Sequence, residues 1–231
     1  MLALAEGAVG DALQEAGVVF EGADHRPARL VGGAVEMVVA ERLQAGEHLV
    51  DLGLLADEGG ERVRPVPRTG GGTGLGQACV RQFLADGFKV WSLGLDVEEK
   101  IDHPDLVERH FDITDGAAIA NLAKEFEGVD ALVNAAGTIL HDRREFTNDG
   151  FDKVMEVNFR GTQQLCFALE HQLKSRRGAI VNFASMWSIF GSVGNPAYSA
   201  SKGAIDSFTR ALAASWGPAG VRTNAVAPGW V

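Results

Sequence analysis

The sequence feature that most constrains the fold is a regular alternation of short apolar segments and amphipathic segments from Thr69 onward. Apolar runs at 89–95, 106–113, 129–137, 178–185 and 221–229 predict strands, and helical spacing occurs at 117–126, 149–175 and 198–216. Continuous apolar strands between helices are typical of a parallel sheet that is covered on both faces. The sequence therefore predicts an α/β fold with a doubly wound parallel sheet.

A glycine-rich stretch, "TGGGTGLG", stands immediately before the first predicted helix of this region. Glycine lets a backbone turn sharply and approach a phosphate without a Cβ clash, and the helix that follows offers free N–H groups. A glycine-rich linker before a helix is the alternative interpretation. The candidate phosphate-binding residues are Thr69, Gly70, Gly72, Thr73, Gly74, Leu75 and Gly76.

Three polar residues with complementary chemistry occur around the strand at 178–185 and the helix after it. Tyr198 and Lys202 are four residues apart, so they share one face of the predicted helix. Ser185 ends the preceding strand, at the sheet edge where parallel strands bind ligands. The three side chains are therefore expected to converge, although an exposed Tyr198–Lys202 surface pair is the alternative.

Further motifs follow the same order and spacing as a known enzyme family. They are the glycine loop, an "NAAG" turn that contains Asn134, Ala136 and Gly137, the helix residue Asn158 in "EVNFRG", the Ser–Tyr–Lys set, and the turn at Pro228 and Gly229. From Thr69 onward the chain resembles the short-chain dehydrogenase/reductase family. The resemblance implies a Rossmann-type domain that binds NAD(P) and interconverts an alcohol and a ketone.

The resemblance also implies a role for each matching residue. Tyr198 would be the general acid/base, and Ser185 would hydrogen-bond the substrate oxygen. Lys202 would lower the pKa of Tyr198 and hold the ribose hydroxyls, and Asn158 would hold a water that relays protons to solvent. A free tyrosine titrates near ~10, so it needs nearby positive charge, from Lys202 and a nicotinamide cation, to act as a base at neutral pH.

Other cofactor contacts are implied at the strand ends. Asp112 and Ile113 match the adenine-binding position, although Asp112 also fits a helix N-cap or a strand-end acid. Val231 matches the residue that contacts the nicotinamide carboxamide. The predicted contacts are Asp96, Asp112, Ile113, Asn134, Ala135, Ala136, Gly137, Tyr198, Lys202, Pro228, Gly229 and Val231, in addition to the glycine loop.

The sequence favours NAD over NADP, which is the alternative cofactor. Gly94 stands where the family usually has an acid that binds the adenosine ribose, but Asp96 follows two residues later. Together with Glu98 and Glu99, Asp96 would repel a 2′-phosphate. Thr73 stands where NADP-dependent members often carry a basic residue.

The expected substrate is a small alcohol or ketone. Similarity around "NAAGTILHDRREF" favours a sugar, a polyol or a cyclic alcohol, with a 3-oxoacyl thioester as the alternative. A non-catalytic nucleotide-binding protein or a defective fragment is the competing class. Trp187 and Trp230 are either pocket residues or ordinary packing residues.

Composition and charge limit the partners. A net charge of −10 argues against nucleic acid, and the chain has no run of about 18 apolar residues. The two cysteines, Cys79 and Cys166, are expected to be buried free thiols, which fits the cytoplasm. No histidine pair has metal-ligand spacing, so no metal site is predicted. The family resemblance predicts a homo-oligomer if the usual interface is present.

Two departures from the family pattern concern the ends of the matching region. Pro65 and Pro67 stand where the first strand should be, and proline lacks the N–H that a central strand donates. We therefore expect an atypical first strand, because residues before Thr69 are not expected to supply the strand that the family has there. We also expect two domains, which are an N-terminal extension of unassigned fold and different origin at 1–68 and the dehydrogenase domain at 69–231. After "PGWV" the resemblance implies a further loop, helix and strand, so the domain is expected to be incomplete.

Overall fold

The computed structural model describes residues 65–69, 74–95 and 100–229. Within these ranges six strands form one sheet, in which every pair is parallel. The strands are β1 (Pro65–Thr69), β2 (Lys89–Gly94), β3 (Leu106–His110), β4 (Ala131–Asn134), β5 (Ala179–Phe183) and β6 (Arg222–Val226). Their order is β3-β2-β1-β4-β5-β6, so the strand order reverses between β1 and β4. The predicted doubly wound sheet is confirmed, and ligands bind such sheets at this reversal.

Helices connect the strands. They are α1 (Gly74–Ala85), α2 (Gly116–Ala123), α3 (Asn148–Met155), α4 (Thr162–Ala168), α5 (Glu170–Arg176), α6 (Trp187–Phe190) and α7 (Pro196–Trp216), with short 3₁₀ turns at Arg144–Phe146 and Gly217–Ala219. The continuous helix predicted over 149–175 is divided. A π-helical segment, Glu156–Gly161, joins α3 to α4, and the backbone leaves helical geometry at Leu169, where φ is −99°.

The core lies on both faces of the sheet. Leu132 and Ile180 pack into one buried cluster with residues of α2, α4, α5 and α7. Their neighbours Val133 and Val181 pack into a second cluster with α1. Successive strand residues point to opposite faces, and both faces of β4 and β5 are covered, which is why these strands are apolar at consecutive positions.

The first strand corrects one prediction from the sequence. Residues 65–69 form a central strand that pairs with β2 along its whole length, and Arg68 and Thr69 also pair with β4. The prediction that residues before Thr69 do not supply this strand is therefore wrong. Pro65 and Pro67 are two residues apart, so their missing N–H groups face the same neighbour. The short ladder to β4, which begins after both prolines, fits that arrangement.

The predicted boundary between residues 68 and 69 falls inside β1. The rest of the proposed N-terminal extension, residues 1–64, lies outside the described residues. In the part of the chain that the structure describes, no helix has both the length and the hydropathy that crossing a membrane requires.

Candidate active site

The candidate site lies at the carboxyl edge of the sheet, where the strand order reverses. Thr69 at the end of β1 pairs with Asn134 at the end of β4, and α1 begins at Gly74. Leu75 is half-buried and Gly76 is buried in the first turn of this helix. The predicted residues Gly70, Gly72 and Thr73 lie outside the described residues. A strand end followed closely by a helix N-terminus is the arrangement that holds nucleotide phosphates.

The structure brings Ser185, Tyr198 and Lys202 together as predicted. Ser185 follows β5 by two residues and is buried. Tyr198 lies in the first turn of α7, and its phenol is hydrogen-bonded to the Ser185 hydroxyl. The Lys202 Nζ lies 5.6 Å from the centroid of the Tyr198 ring. The Lys202 Nζ also donates a hydrogen bond to the Phe183 carbonyl oxygen at 2.6 Å, which fixes the side chain against the end of β5.

Burial changes the proton affinities of both ionisable groups. It raises the pKa of Tyr198, the Glu145 carboxylate raises that pKa further, and the hydrogen bond from Ser185 opposes the increase. The sequence predicted a lowered pKa for Tyr198. In the structure the pKa is raised instead, because burial is the largest influence on it. Burial also lowers the pKa of Lys202 to about 8, because the protein interior disfavours the ammonium.

Asn158 connects the turn after β4 to α7. It lies in the π-helical segment and is 1% exposed. Its Oδ1 accepts a hydrogen bond from the Thr138 N–H at 2.7 Å, and its Nδ2 donates to the Thr138 carbonyl oxygen and to the Ser201 Oγ. The side chain is therefore engaged on all sides by protein atoms. Its predicted role in a water relay remains a prediction.

Asn134 directs its side chain away from the crevice. Its Nδ2 donates to the Asn182 Oδ1 on β5 at 2.8 Å and lies 3.4 Å from the Cys166 Sγ. Ala135, Ala136 and Gly137 follow it at the sheet edge, so this turn offers the crevice mainly backbone. Burial raises the pKa of Cys166 to about 12. Both cysteines are free, as predicted, but Cys79 is only half-buried.

The predicted adenine end is more open. Asp112 is exposed, and its Oδ1 accepts hydrogen bonds from the N–H and the hydroxyl of Thr114, which lower the pKa of the carboxyl group. Asp115 is the N-cap of α2, so the N-cap interpretation of Asp112 is wrong. Ile113 is buried against Gly161, where a Cβ would lie 2.7 Å from the Ile113 Cγ1. Asp96 lies outside the described residues.

The segment after β6 closes one side of the site. The Met186 N–H donates to the Pro228 carbonyl oxygen at 3.1 Å, which holds Pro228 and Gly229 beside the residue that follows Ser185. The Trp187 ring meets the Tyr198 ring edge to face at 5.7 Å, so Trp187 lies at the site. Trp230 and Val231 lie outside the described residues.

Sequence reasoning missed Glu145. This residue is 1% exposed in the short 3₁₀ turn after β4, and its carboxylate accepts hydrogen bonds from the Tyr198 N–H and from two other donors at the site. The available signal was one glutamate within the basic stretch "HDRREF". Two of its three donors, the Asn195 Nδ2 and the Tyr198 N–H, belong to residues 50 and 53 positions away, so no local pattern predicts them.

The residues around the crevice fit a dinucleotide. A Cβ added at Gly137 would lie 3.5 Å from the Asn158 Oδ1 and 3.6 Å from the Lys202 Nζ, so the turn after β4 lies directly beside this buried ammonium. Hydroxyl and ammonium donors suit ribose hydroxyls, and the helix N-terminus suits phosphates. Within residues 65–69, 74–95 and 100–229 no group of three His, Cys, Asp or Glu side chains could hold a metal ion.

Comparison with known proteins identifies the family. The family description "short chain dehydrogenase" matches residues 66–231. The chain belongs to the short-chain dehydrogenase/reductase family. This membership assigns it to the oxidoreductases, whose members in this family use NAD(P) nucleotides.

Several curated relatives are similar to this chain. The 2-(R)-hydroxypropyl-CoM dehydrogenase of Xanthobacter autotrophicus is 37% identical over 71% of this chain and 72% of its own length. Cyclopentanol dehydrogenase of a Comamonas species is 32% identical over 70% of each chain. The short-chain reductase protein NovJ of Streptomyces niveus is 44% identical over 50% of this chain. This chain spans less than half of NovJ, 44% of its length.

A solved structure has the same fold. The crystal structure of an oxidoreductase of the short-chain dehydrogenase/reductase family from Burkholderia thailandensis superposes with a TM-score of 0.66 and 32% identity. The superposition covers 73% of this chain and 69% of that one.

Proposed function

We propose that this chain catalyses the NAD-dependent interconversion of a secondary alcohol and a ketone, with Tyr198 as the general acid/base. The observation that carries the proposal is the convergence of Ser185, Tyr198 and Lys202 at the reversal point of the sheet. A phenol that is hydrogen-bonded to a serine and lies close to a lysine can exchange a proton with a bound oxygen. Family membership supports the same reaction class.

Each residue of the set has one task. Bound NAD would supply the acceptor for the hydride that leaves the alcohol carbon. The Ser185 hydroxyl holds the substrate oxygen beside Tyr198, whose phenolate takes the proton of the alcohol hydroxyl. In the reverse direction the Tyr198 hydroxyl returns that proton to the oxygen of the ketone. Lys202, with a pKa of about 8, is mostly protonated at neutral pH and favours the phenolate electrostatically.

The nucleotide site is proposed to prefer NAD over NADP. Asp96, Glu98 and Glu99 follow β2, and their charges would repel a 2′-phosphate. Thr73 contributes no positive charge to attract one. Lys202 and the backbone of Ala135, Ala136 and Gly137 would line the nicotinamide half of the site, and Asp112 and Ile113 would line the adenine half.

The substrate is proposed to be a secondary alcohol with an apolar body, a cyclic alcohol before a sugar or a polyol. Ile189, Phe190 and Val193 are exposed just beyond Trp187, which contacts Tyr198. An apolar rim beside the reactive group favours a hydrocarbon substrate because its burial removes apolar surface from water. The printed names of two relatives, a hydroxypropyl-CoM dehydrogenase and a cyclopentanol dehydrogenase, also support a secondary alcohol.

The deciding experiment measures cofactor binding first and turnover second. Purified chain is titrated with NADH and with NADPH, and the fluorescence of the nicotinamide is followed. We expect NADH to bind more tightly. If neither NADH nor NADPH binds, the proposal is contradicted.

A substrate panel then separates the classes. Cyclopentanol, a polyol, a sugar alcohol and a 3-hydroxyacyl thioester are offered with NAD, and NADH formation is recorded. We expect the highest kcat/KM with the cyclic alcohol. Nucleotide binding without turnover of any alcohol would instead support a non-catalytic nucleotide-binding protein. A cytoplasmic location and a homo-oligomeric state remain predictions from the sequence.

A further inference from the structure

Glu145 has a buried carboxylate that contacts the first turn of α7, where Tyr198 lies. Glu145 belongs to the 3₁₀ turn Arg144–Phe146, far from α7 in sequence, and its side chain is 1% exposed. Its Oε2 accepts a hydrogen bond from the Tyr198 N–H at 2.8 Å. Its Oε1 accepts from the Leu140 N–H at 2.9 Å and from the Asn195 Nδ2 at 3.2 Å. A buried charge is costly unless it is hydrogen-bonded, and all three donors here are neutral.

This contact replaces the usual local cap of a helix. Asn195 precedes α7 in the N-cap position, but its side chain makes no cap hydrogen bond. Its Nδ2 donates instead to the Leu140 carbonyl oxygen and to Glu145. Pro196 has no N–H, so the Tyr198 N–H is among the first donors that α7 must satisfy. Glu145 satisfies it from 53 residues away, and its negative charge is favourable at a helix N-terminus.

We propose that Glu145 is a positioning residue for Tyr198: its carboxylate fastens the first turn of α7 to the two loops that border the site, and its charge lies beside the Tyr198 backbone. The two loops are the one after β4, through Leu140, and the one before α7, through Asn195. This inference rests on the proposed function of Tyr198, and it adds a residue that acts through Tyr198 without touching the substrate.

The electrostatic part has a definite sign. The charged groups that face Tyr198 are Glu145 from the loop after β4 and Lys202 from the next turn of α7, and the neutral partners are Ser185 and Trp187. The Glu145 carboxylate favours the protonated phenol and so raises the pKa of Tyr198. Glu145 therefore holds Tyr198 as a proton donor until positive charge at the site opposes it.

Tyr198 is the only tyrosine of the chain, so its titration can be observed directly. Protein labelled with carbon-13 tyrosine gives one tyrosine signal, whose pH midpoint is measured without cofactor or substrate. Glu145→Gln removes the charge at constant size. We expect the midpoint to fall by roughly 0.5–1 pH unit, since one nearby buried charge is lost. Glu127→Gln, an exposed glutamate in the loop before β4, is the matched control, and its midpoint should equal that of the wild type.

Kinetics test the positioning part. In Glu145→Gln an amide NH₂ faces one of the former donors, so we expect kcat to fall about 10-fold while the affinity for NADH stays within about two-fold. Asn195→Ala loosens the same carboxylate without changing charge, and it should lower kcat by about 3-fold and leave the tyrosine midpoint unchanged. Unchanged kcat in both variants would overturn the positioning role.

The two proposals fail in different ways. An identical tyrosine midpoint in wild type and Glu145→Gln would overturn this inference even if the wild type is an active dehydrogenase. A wild type that turns over no alcohol, yet shows the shifted midpoint in Glu145→Gln, would contradict the proposed function and support the contact between Glu145 and Tyr198. Should Glu145→Gln fail to fold, Asn195→Ala still decides the positioning role through kcat.

Discussion

The two sides of the candidate site are built differently. On the Tyr198 side, which comprises Asn158, Ser185, Tyr198 and Lys202, hydrogen bonds between separate elements hold the side chains. On the Asp112 side, which comprises Asp112 and Ile113, the acid is exposed and its hydrogen bonds are to the nearby Thr114. The difference teaches that the group proposed to exchange a proton is held by several elements, whereas the acid proposed to contact the cofactor is held within its own loop. Substitutions on the Tyr198 side should therefore have larger effects.

The largest effect is expected from Tyr198→Phe. The variant keeps the ring that meets Trp187 but removes the hydroxyl that we propose carries the proton. We expect kcat for the best alcohol to fall roughly 10²–10⁴-fold, which is the usual contribution of general acid–base catalysis. Steady-state kinetics and NADH titration measure the two properties separately, and NADH affinity should remain within a few-fold. Ser207→Ala, an exposed position on the same helix, is the control, and Tyr198→Phe with the turnover of wild type would refute the assignment.

Asn158→Ala should reduce stability. It removes the acceptor of the Thr138 N–H and two further hydrogen bonds and leaves a buried cavity, so the free energy of unfolding should fall by about 2–4 kcal/mol. Denaturant unfolding measures the loss. Asn121→Ala, an exposed residue in α2, should change it by less than about 0.5 kcal/mol. If Asn158→Ala proves as stable as the control, the described hydrogen bonds do not support the site.

Lys202→Met should change how stability depends on pH. The folded-state pKa of about 8 lies below the ordinary value of 10.5, so between these pH values the unfolded chain binds more protons and Lys202 makes wild-type stability rise with pH. From pH 7 to pH 10.5 the free energy of unfolding of the wild type should therefore rise by roughly 2–3 kcal/mol relative to that of the variant. Denaturant unfolding at several pH values measures this difference, in which other titrating groups cancel. If the difference in the free energy of unfolding does not change with pH, the pKa of Lys202 is not lowered in the folded chain. Turnover of the variant should be lost.

The smallest effect is expected on the Asp112 side. Asp112→Ala removes the acceptor that orders the loop at Thr114, and we expect the NADH dissociation constant to rise about 3–10-fold with little change in kcat. Asp112→Asn keeps an acceptor oxygen and should show a smaller change, and Asp102→Ala, an exposed acid before β3, should show none. A loss of kcat as large as that of Tyr198→Phe would remove the distinction between the two sides of the site.

Most of the fold could be predicted from the sequence because its signals are local. The apolar runs of β4 and β5 are buried on both faces, so they are apolar at consecutive positions and easily recognised. The i,i+4 spacing of Tyr198 and Lys202 fixed their common helix face. Helix ends were harder to predict, and the interruption of the segment 149–175 depends on the π-helical turn around Asn158, which no propensity indicates.

β1 shows where local propensity fails. Two prolines predicted a broken strand, yet Pro65–Thr69 pairs with β2 along its whole length. The backbone can occupy the position between β2 and β4 because the missing N–H groups of both prolines face the same side. Long-range pairing outweighed the local preference of this segment.

By itself, the sequence predicted the parallel sheet apart from β1, the oxidoreductase family and the grouping of Ser185, Tyr198 and Lys202. Periodicity, glycine spacing and residue chemistry carry these signals locally along the chain. Only the tertiary structure decided that β1 exists, that the Asn134 side chain joins the sheet instead of the crevice, and that Glu145 supports Tyr198. The physical reason is the same in each case: these features depend on hydrogen bonds between residues that are distant in sequence, and such partners exist only after the chain has folded.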